Sequence, residues 1–201
     1  MAYEYEKELI VGVDEVGRGC CAGNVVACAA ILPIGFEFEK LRDSKKMSEK
    51  NRELFFEYAQ SHGVLLGIGA SSVIEIEHLN IRRATHLAMH RAIQGLIDSH
   101  EFINPVNCKI VIDGNDFETN ESWNYETLVK GDDLVKAISA ASCYAKVYRD
   151  HQMQQESKKY EHRYGWQTNS GYGTKVHKDA LIEYGLTPLH RKSFCNTLLS
   201  K

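Results

Sequence analysis

The chain has 201 residues, 43% hydrophobic and 25% charged, which is ordinary for a globular protein long enough to bury a core without disulfides or a structural metal, and excludes a disordered or fibrous chain. Its longest apolar run, Val25 to Leu32, falls far short of the roughly 18 residues of a membrane span. The net charge of −3 is unevenly divided: residues 1–129 carry 12 Lys and Arg against 20 Asp and Glu, and residues 130–201 carry 12 against 7.

Residues 1–8 lack the basic-then-apolar order of a secretory signal, so a cytoplasmic location is expected. Leu9 to Asp14 is a short apolar run ending in acids, and Val25 to Leu32 is a second run beyond the Gly-rich segment Gly17 to Gly23. The two read as strands joined by a tight connection. Ser48 caps a helix to Ser61, with Leu54, Phe55 and Tyr58 on its apolar side. Val64 to Ala70 reads as a third strand. Asn80 to Ile97 places Ile81, Ala84, Leu87, Ala88 and Ala92 at helical spacing, with Asn80 as its cap.

Ile110 to Ile112 is a buried-type strand ending in Asp113-Gly114-Asn115. Asp132 or Asp133 is expected to start one long helix to about Lys159, and Thr174 to Tyr184 a shorter one stopped by Gly185. Strands interleaved with helices after a hairpin indicate an α/β domain with a mixed sheet. No repeat, linker or low-complexity tract interrupts it, so one domain is expected over 1–201, with monomer as the default state. The six cysteines (Cys20, Cys21, Cys28, Cys108, Cys143, Cys195) contain no C-x-x-C pair and read as reduced core thiols. Among the nine histidines no H-E-x-x-H zinc pattern occurs.

Acids stand at three element ends: Asp14-Glu15 after the first strand, Asp113 after the strand at 110–112, and Asp132 at the start of the long helix. In α/β sheets, strand ends are where ligands gather. Carboxylates brought together there repel one another unless cations neutralise them. Oxygen ligands select hard ions, Mg²⁺ or Mn²⁺, and a pair of such ions is the device for in-line attack on a phosphodiester. Beside the first two acids, Gly17 and Gly19 flank Arg18 and let a ligand approach the backbone.

Seven motifs occur in the order found in bacterial-type ribonuclease HII, and the chain resembles that family over almost its whole length. They are Asp14-Glu15-Val16-Gly17-Arg18-Gly19, Asp43-Ser44-Lys45-Lys46, Ile112-Asp113-Gly114-Asn115, Lys130-Gly131-Asp132, Ala145-Lys146-Val147-Tyr148-Arg149-Asp150, Gly171-Tyr172-Gly173-Thr174 and His190-Arg191-Lys192-Ser193-Phe194. Arg18 between the glycines resembles HII, whereas the related ribonuclease HIII typically has Lys there.

The resemblance implies an RNase H-like fold, a central mixed sheet flanked by helices, with a helical C-terminal segment from about residue 160 to 201. It implies a metal-dependent endonuclease that cuts the RNA of RNA/DNA hybrids and single ribonucleotides in duplex DNA, leaving 3′-hydroxyl and 5′-phosphate ends. By motif carry-over the catalytic and metal-binding acids are Asp14, Glu15, Asp113 and Asp132, holding two Mg²⁺ or Mn²⁺ ions. Gly17, Arg18, Gly19 and Tyr172 would meet the 2′-hydroxyl and the ribose junction, and Asp133 is left as a helix-start acid.

Phosphate positioning is expected of Lys45, Lys46, Ser142, Lys146 and Arg149; Ser139, Ser142, Lys146 and Arg149 share one helix face. Adjacent strand residues face opposite ways, so Asp14 and Glu15 can serve one site only if the chain twists there. Where the family usually has Pro and a large apolar residue after Gly19, this chain has Cys20-Cys21, and Asn24 replaces a further Pro. These departures are expected to loosen the turn. His190 either orients the C-terminal segment or touches the site. A binding protein that lost catalysis, or another Mg²⁺-dependent nuclease of the same fold, is the competing reading; the complete acids oppose the first, and the turn with Tyr172 opposes the second.

Overall fold

The computed structural model describes residues 3–200. The first two apolar runs form β1 (Ile10–Val16) and β2 (Val25–Ile31), an antiparallel pair in register from Gly12 opposite Ala30 to Val16 opposite Val26. β3 (Leu65–Ser71) extends the meander antiparallel to β2. β4 (Lys109–Asp113) lies on the other side of β1 and parallel to it, and β5 (Tyr125–Leu128) lies parallel to β4. The sheet order is β3-β2-β1-β4-β5. A mixed sheet follows from the connections: a Gly-rich turn joins β1 to β2, a long helix-containing segment returns the chain antiparallel as β3, and a helical crossover carries it to β4.

Helices cover both faces. α1 (Glu49–Ser61) starts at Ser48, whose side chain accepts from Asn51 N–H. α2 (Val73–Asp98) lies against the opposite face, burying Ala84, Ala88, Ala92 and Leu96 over Val11, Val13, Ala27 and Ala29. The helix expected from Asn80 is the second part of this span, joined across a kink to a first part that starts at Val73, where Ser72 and Glu75 form a reciprocal capping box. Asn80 still acts as a cap within it. It is non-helical (φ 67°, ψ 165°), and its side-chain oxygen accepts from Arg83 N–H at 3.2 Å.

The long helix expected from Asp132 or Asp133 is also two pieces, α3 (Gly131–Leu134) and α4 (Lys136–Lys159), separated by extended Val135. Ser139 Oγ donates to Asp132 O at 2.6 Å and fastens the two across the break. α4 runs across β1 and β2 with α1 beside it, burying Ala140, Ala141, Cys143 and Ala145 against Cys28, Ala30 and Phe55. It approaches β1 so closely at Gly12 that a Cβ there would sit 2.2 Å from the backbone of Ala137 and Ile138.

Beyond α4, α5 (Trp166–Asn169), α6 (Lys175–Tyr184) and α7 (Lys192–Leu199) form the C-terminal helical part. α6 is capped by Thr174 and closed by Gly185, as its sequence predicts. Trp166, Tyr164, Leu181 and Cys195 make a second small core here with Cys21, Ala22 and Met153. The C-terminal helices are thereby seated on the connection between β1 and β2. That connection is stitched rather than loose. Cys21 N–H donates to Gly171 O (2.8 Å), Gly23 N–H to Leu189 O (2.8 Å), and Arg191 N–H to Cys21 O (2.8 Å), which corrects the expectation drawn from Cys20, Cys21 and Asn24.

Candidate active site

Parallel pairing explains why two distant acids meet. Val13 is in register with Ile112, so the next residues, Asp14 within β1 and Asp113 at the end of β4, stand side by side on neighbouring strands, about 5 Å apart by strand spacing. Both share the parity of Gly12 and Val111 and face α4. Gly131 N–H donates to Asp113 Oδ1 at 2.7 Å, which brings α3, and with it Asp132, to the same place. Asp14, Asp113 and Asp132 each present an oxygen within 4.8 Å of the others.

Electrostatics at this cluster are unfavourable without a cation. Burial first, then the charges of Glu15 and Asp113, pushes the Asp14 carboxyl well above its usual range; a hydrogen bond from Ser142 and one from Glu15 N–H (2.7 Å) oppose this. Burial and the Asp113 charge raise Asp132 as well. Among the described residues none of the three carboxylates forms an ion pair. Convergent oxygens without an ion-pair partner, two of the three on buried residues, fit a hard divalent cation.

Glu15 lies outside this trio. β1 stays paired with β2 through Val16, so the strand does not turn after Asp14 and Glu15 has the opposite parity. Its carboxylate accepts from Arg18 Nη1 at 3.2 Å, at the mouth of a cavity of about 230 Å³. Asp14, Glu15, Gly17, Arg18, Gly19, Lys45, Ser142, Lys146 and Tyr172 all line that cavity. Ser44 and Arg52 also line it and were not singled out from the sequence. Ser44 Oγ is hydrogen-bonded to Ser142 Oγ (2.9 Å), and Arg52 donates to Ser44 O (3.0 Å) and Met47 O (2.6 Å). Only the fold shows that Arg52, on the first turn of α1, faces back to the 44–47 segment.

The cations divide into three kinds. Lys45 lines the cavity, whereas Lys46 pairs with Asp133 at 2.7 Å on the surface. Lys146 is held by Asp150 (2.7 Å), with its ammonium 6.0 Å from the centre of the Tyr172 ring. Arg149 corrects the expectation that it grips phosphate. It is 1% exposed, and its guanidinium donates to Asn24 O, Ser170 O and Ala22 O at 2.7–2.9 Å. The helix face predicted from spacing is real, but at Arg149 it points under the β1–β2 connection rather than toward solvent.

Tyr172 is partly exposed at the cavity, while its hydroxyl end is sunk against Cys20; burial, foremost, pushes that hydroxyl up to about 12, so it stays protonated at neutral pH. Its backbone is fixed from below. Tyr172 O is 2.9 Å from His177 Nδ1, and a carbonyl only accepts, so Nδ1 carries the proton. His177 Nε2 is then an acceptor, taking a bond from Trp166 Nε1–H (3.2 Å) and one from His190 Nε2–H (3.0 Å). His190 Nδ1 in turn accepts from Thr187 N–H at 2.8 Å. His190 therefore touches no reacting group, and both rings must be neutral for the chain of bonds to hold.

Burial lowers both imidazoles, His190 to about 4, with the neighbouring His177 contributing. A histidine whose folded pKa lies below its unfolded value near 6.5 binds its proton more readily when unfolded, so stability falls as pH falls from about 6.5 to about 4. The expected loss from His190 over that window is about 3 kcal/mol. Thermal melts between pH 7 and 4.5 check this. His190→Gln is expected to flatten the slope, and parallel slopes for the two proteins would assign it to other groups.

Comparison with known proteins gives a consistent result. A family model described as Ribonuclease HII matches residues 11–197. A "Ribonuclease HII" of Hydrogenovibrio crunogenus is 46% identical over 194 residues, covering 96% of this chain and 89% of that protein. One of Phocaeicola vulgatus is 42% identical, covering 94% and 90%. Among solved structures, ribonuclease H2 from Pyrococcus horikoshii OT3 superposes with a TM-score of 0.72 at 21% identity, covering 96% of this chain and 97% of that one.

Proposed function

The chain belongs to the ribonuclease HII family and is a metal-dependent endoribonuclease of RNase H-like fold; from that premise we propose that it cuts RNA/DNA hybrids and duplex DNA containing single ribonucleotides, with the acids around Asp14 as its catalytic centre. The observation that carries this reading is the sharing of one cavity by Asp14, the Gly17-Arg18-Gly19 turn and Tyr172, with Asp113 and Asp132 alongside. Asp14, Asp113 and Asp132 hold the metal, with Glu15 as the fourth acid of the motif. When bound by these residues, a pair of Mg²⁺ or Mn²⁺ ions would supply Lewis-acid activation of water and charge stabilisation for the departing 3′ oxygen.

The protein's own groups bind and orient. Glu15 N–H, bonded to Asp14, and Gly131 N–H, bonded to Asp113, hold the two carboxylates in place. Lys45 and Lys146 bring positive charge to the phosphates beside them. The turn and Tyr172 face the sugar, where the 2′-hydroxyl is the only group that separates RNA from DNA. Six free, buried cysteines accord with a reducing, cytoplasmic setting, and the protein acts as a monomer.

The test uses the protein with Mg²⁺ or Mn²⁺ and end-labelled duplexes containing no ribonucleotide, one, or a run. Cleavage only where ribose is present, with 5′-phosphate on the downstream product, is the expected result. Cleavage of all-DNA duplexes would identify a different nuclease on the same fold, and binding without cleavage would identify an inactive binder.

A further inference from the structure

Two arginines lie beneath the Gly-rich turn, and among the described residues neither has an acidic partner. Arg191 is 0% and Arg149 1% exposed. Arg191 Nε and Nη2 both donate to Gly23 O (2.9 and 2.7 Å), and its Nη1 donates to Arg18 O at 3.0 Å. Arg149 takes the carbonyls of Ala22, Asn24 and Ser170. Burying a guanidinium costs several kcal/mol, and an apolar side chain of similar volume often serves stability better. Fixing the direction of five backbone carbonyls is what these arginines do and an apolar side chain could not.

That direction matters at one peptide. The carbonyl of Arg18 and the N–H of Gly19 belong to a single planar trans unit and point opposite ways. With Arg18 O drawn inward by Arg191, Gly19 N–H is turned outward. Among the described residues this N–H donates to no backbone carbonyl, and no atom lies within 4 Å of where a Gly19 Cβ would stand. Gly19 lines the same cavity as Asp14 and Tyr172. From the other side, the Arg149 side chain fills the space a Gly17 Cβ would need, with Nε 2.3 Å from that position, so the turn rests directly on it.

We propose that Arg191 is a positioning residue for sugar discrimination: by holding the Arg18 carbonyl it aims Gly19 N–H at the 2′ oxygen of a bound ribonucleotide, with Arg149 supporting the turn from below. The inference rests on the ribonuclease reading of the site. It makes recognition depend on a side chain that never meets the substrate.

The test compares wild type with Arg191→Lys, which keeps a positive charge but has no planar fork to serve Arg18 O and Gly23 O together. Each is assayed on a single-ribonucleotide duplex and on the same duplex with fluorine replacing the 2′-hydroxyl. Mn²⁺ affinity is measured in parallel. The variant is expected to lose about 30-fold in kcat on the ribonucleotide, equivalent to about 2 kcal/mol, with Mn²⁺ affinity and KM within about threefold. The penalty for fluorine is expected to shrink toward 1, because a misaimed N–H no longer distinguishes the two atoms. Arg149→Lys is the second variant, with the same shrinkage expected in smaller degree.

A fluorine penalty equal in wild type and folded variants, whatever the fall in kcat, overturns the proposal. So does loss of cooperative melting in both variants, which would make the arginines purely structural. Wild-type protein with no preference for ribose removes the ribonuclease reading and the proposal with it, whereas a preference unchanged by the variants removes the proposal alone.

Discussion

Asp113→Asn is expected to abolish cleavage, lowering the single-turnover rate by at least about 10³-fold, or about 4 kcal/mol of barrier, while the protein melts at or above the wild-type temperature. The two halves of this outcome have one cause. Asp113 adds to the charge that raises Asp14, and among the described residues no cation pairs with the cluster to offset it. Removing one negative charge relieves that repulsion in the metal-free protein and weakens the hold on a divalent ion. The amide oxygen of Asn can still accept from Gly131 N–H, the bond that Asp113 Oδ1 makes at 2.7 Å, so α3 keeps its place. Rate and melting temperature are measured on one preparation. Full activity in the variant would remove Asp113 from the site; lost activity with a lower melting temperature would make its role one of folding.

The largest effect on stability is expected at Gly12. A methyl group there would lie 2.2 Å from the backbone of both Ala137 and Ile138, and backbone within a helix cannot step aside as a flexible side chain can. Gly12→Ala must push α4 off the sheet, opening the packing of Ala140 and Ala141 against Cys28 and Ala30. A loss of about 3 kcal/mol or more is expected, seen as a fall of roughly 10 °C in melting temperature for a chain of this size. Gly95→Ala is the control. It lies inside α2 with open space where its Cβ would go, and is expected to gain about 0.5–1 kcal/mol from reduced backbone entropy. Equal melting temperatures for wild type and Gly12→Ala would show that α4 can ride away from β1 without cost.

The fold was legible where hydrophobic pattern and local signals agreed. β1, β2, β3 and β4 each coincide with an apolar run, and α1 and α6 begin at their Ser and Thr caps. β5 was not legible, because Tyr125–Leu128 is a short edge strand with exposed residues at its start, so no apolar run marks it. The break at Val135 was hidden for a different reason. Residues on both sides suit a helix, and the turn is enforced by the packing of α3 against α4, where the Ile138 side chain approaches Gly131 and Ser139 bonds to Asp132 O.

At the site, residue types in motif order point to the acids, and the parallel register that sets Asp14 beside Asp113 supplies the reason two of them meet. The phosphate contacts were harder to read, since period alone groups Ser142, Lys146 and Arg149 on one face without saying what covers it. That face passes from the open cavity at Ser142 and Lys146 to the underside of the β1–β2 connection at Arg149. His177 and Arg191 carried no signal of their own role. His177 resembles an ordinary helix histidine, and nothing local shows that its ring reaches Tyr172 O and His190.

What the amino-acid order determined by itself was local: which segments could be strand or helix, where they start, and which acids, glycines and tyrosine the chemistry has available. Propensity, capping and periodicity act over a few neighbours, so they are written in consecutive residues. Which carboxylates converge, that Glu15 lies outside the close trio, and that Arg149 holds carbonyls beneath the turn instead of gripping phosphate were decided only by the tertiary structure. Those outcomes depend on strand register and on close approach between residues about a hundred or more positions apart, and such distances are set by the packing of the whole chain.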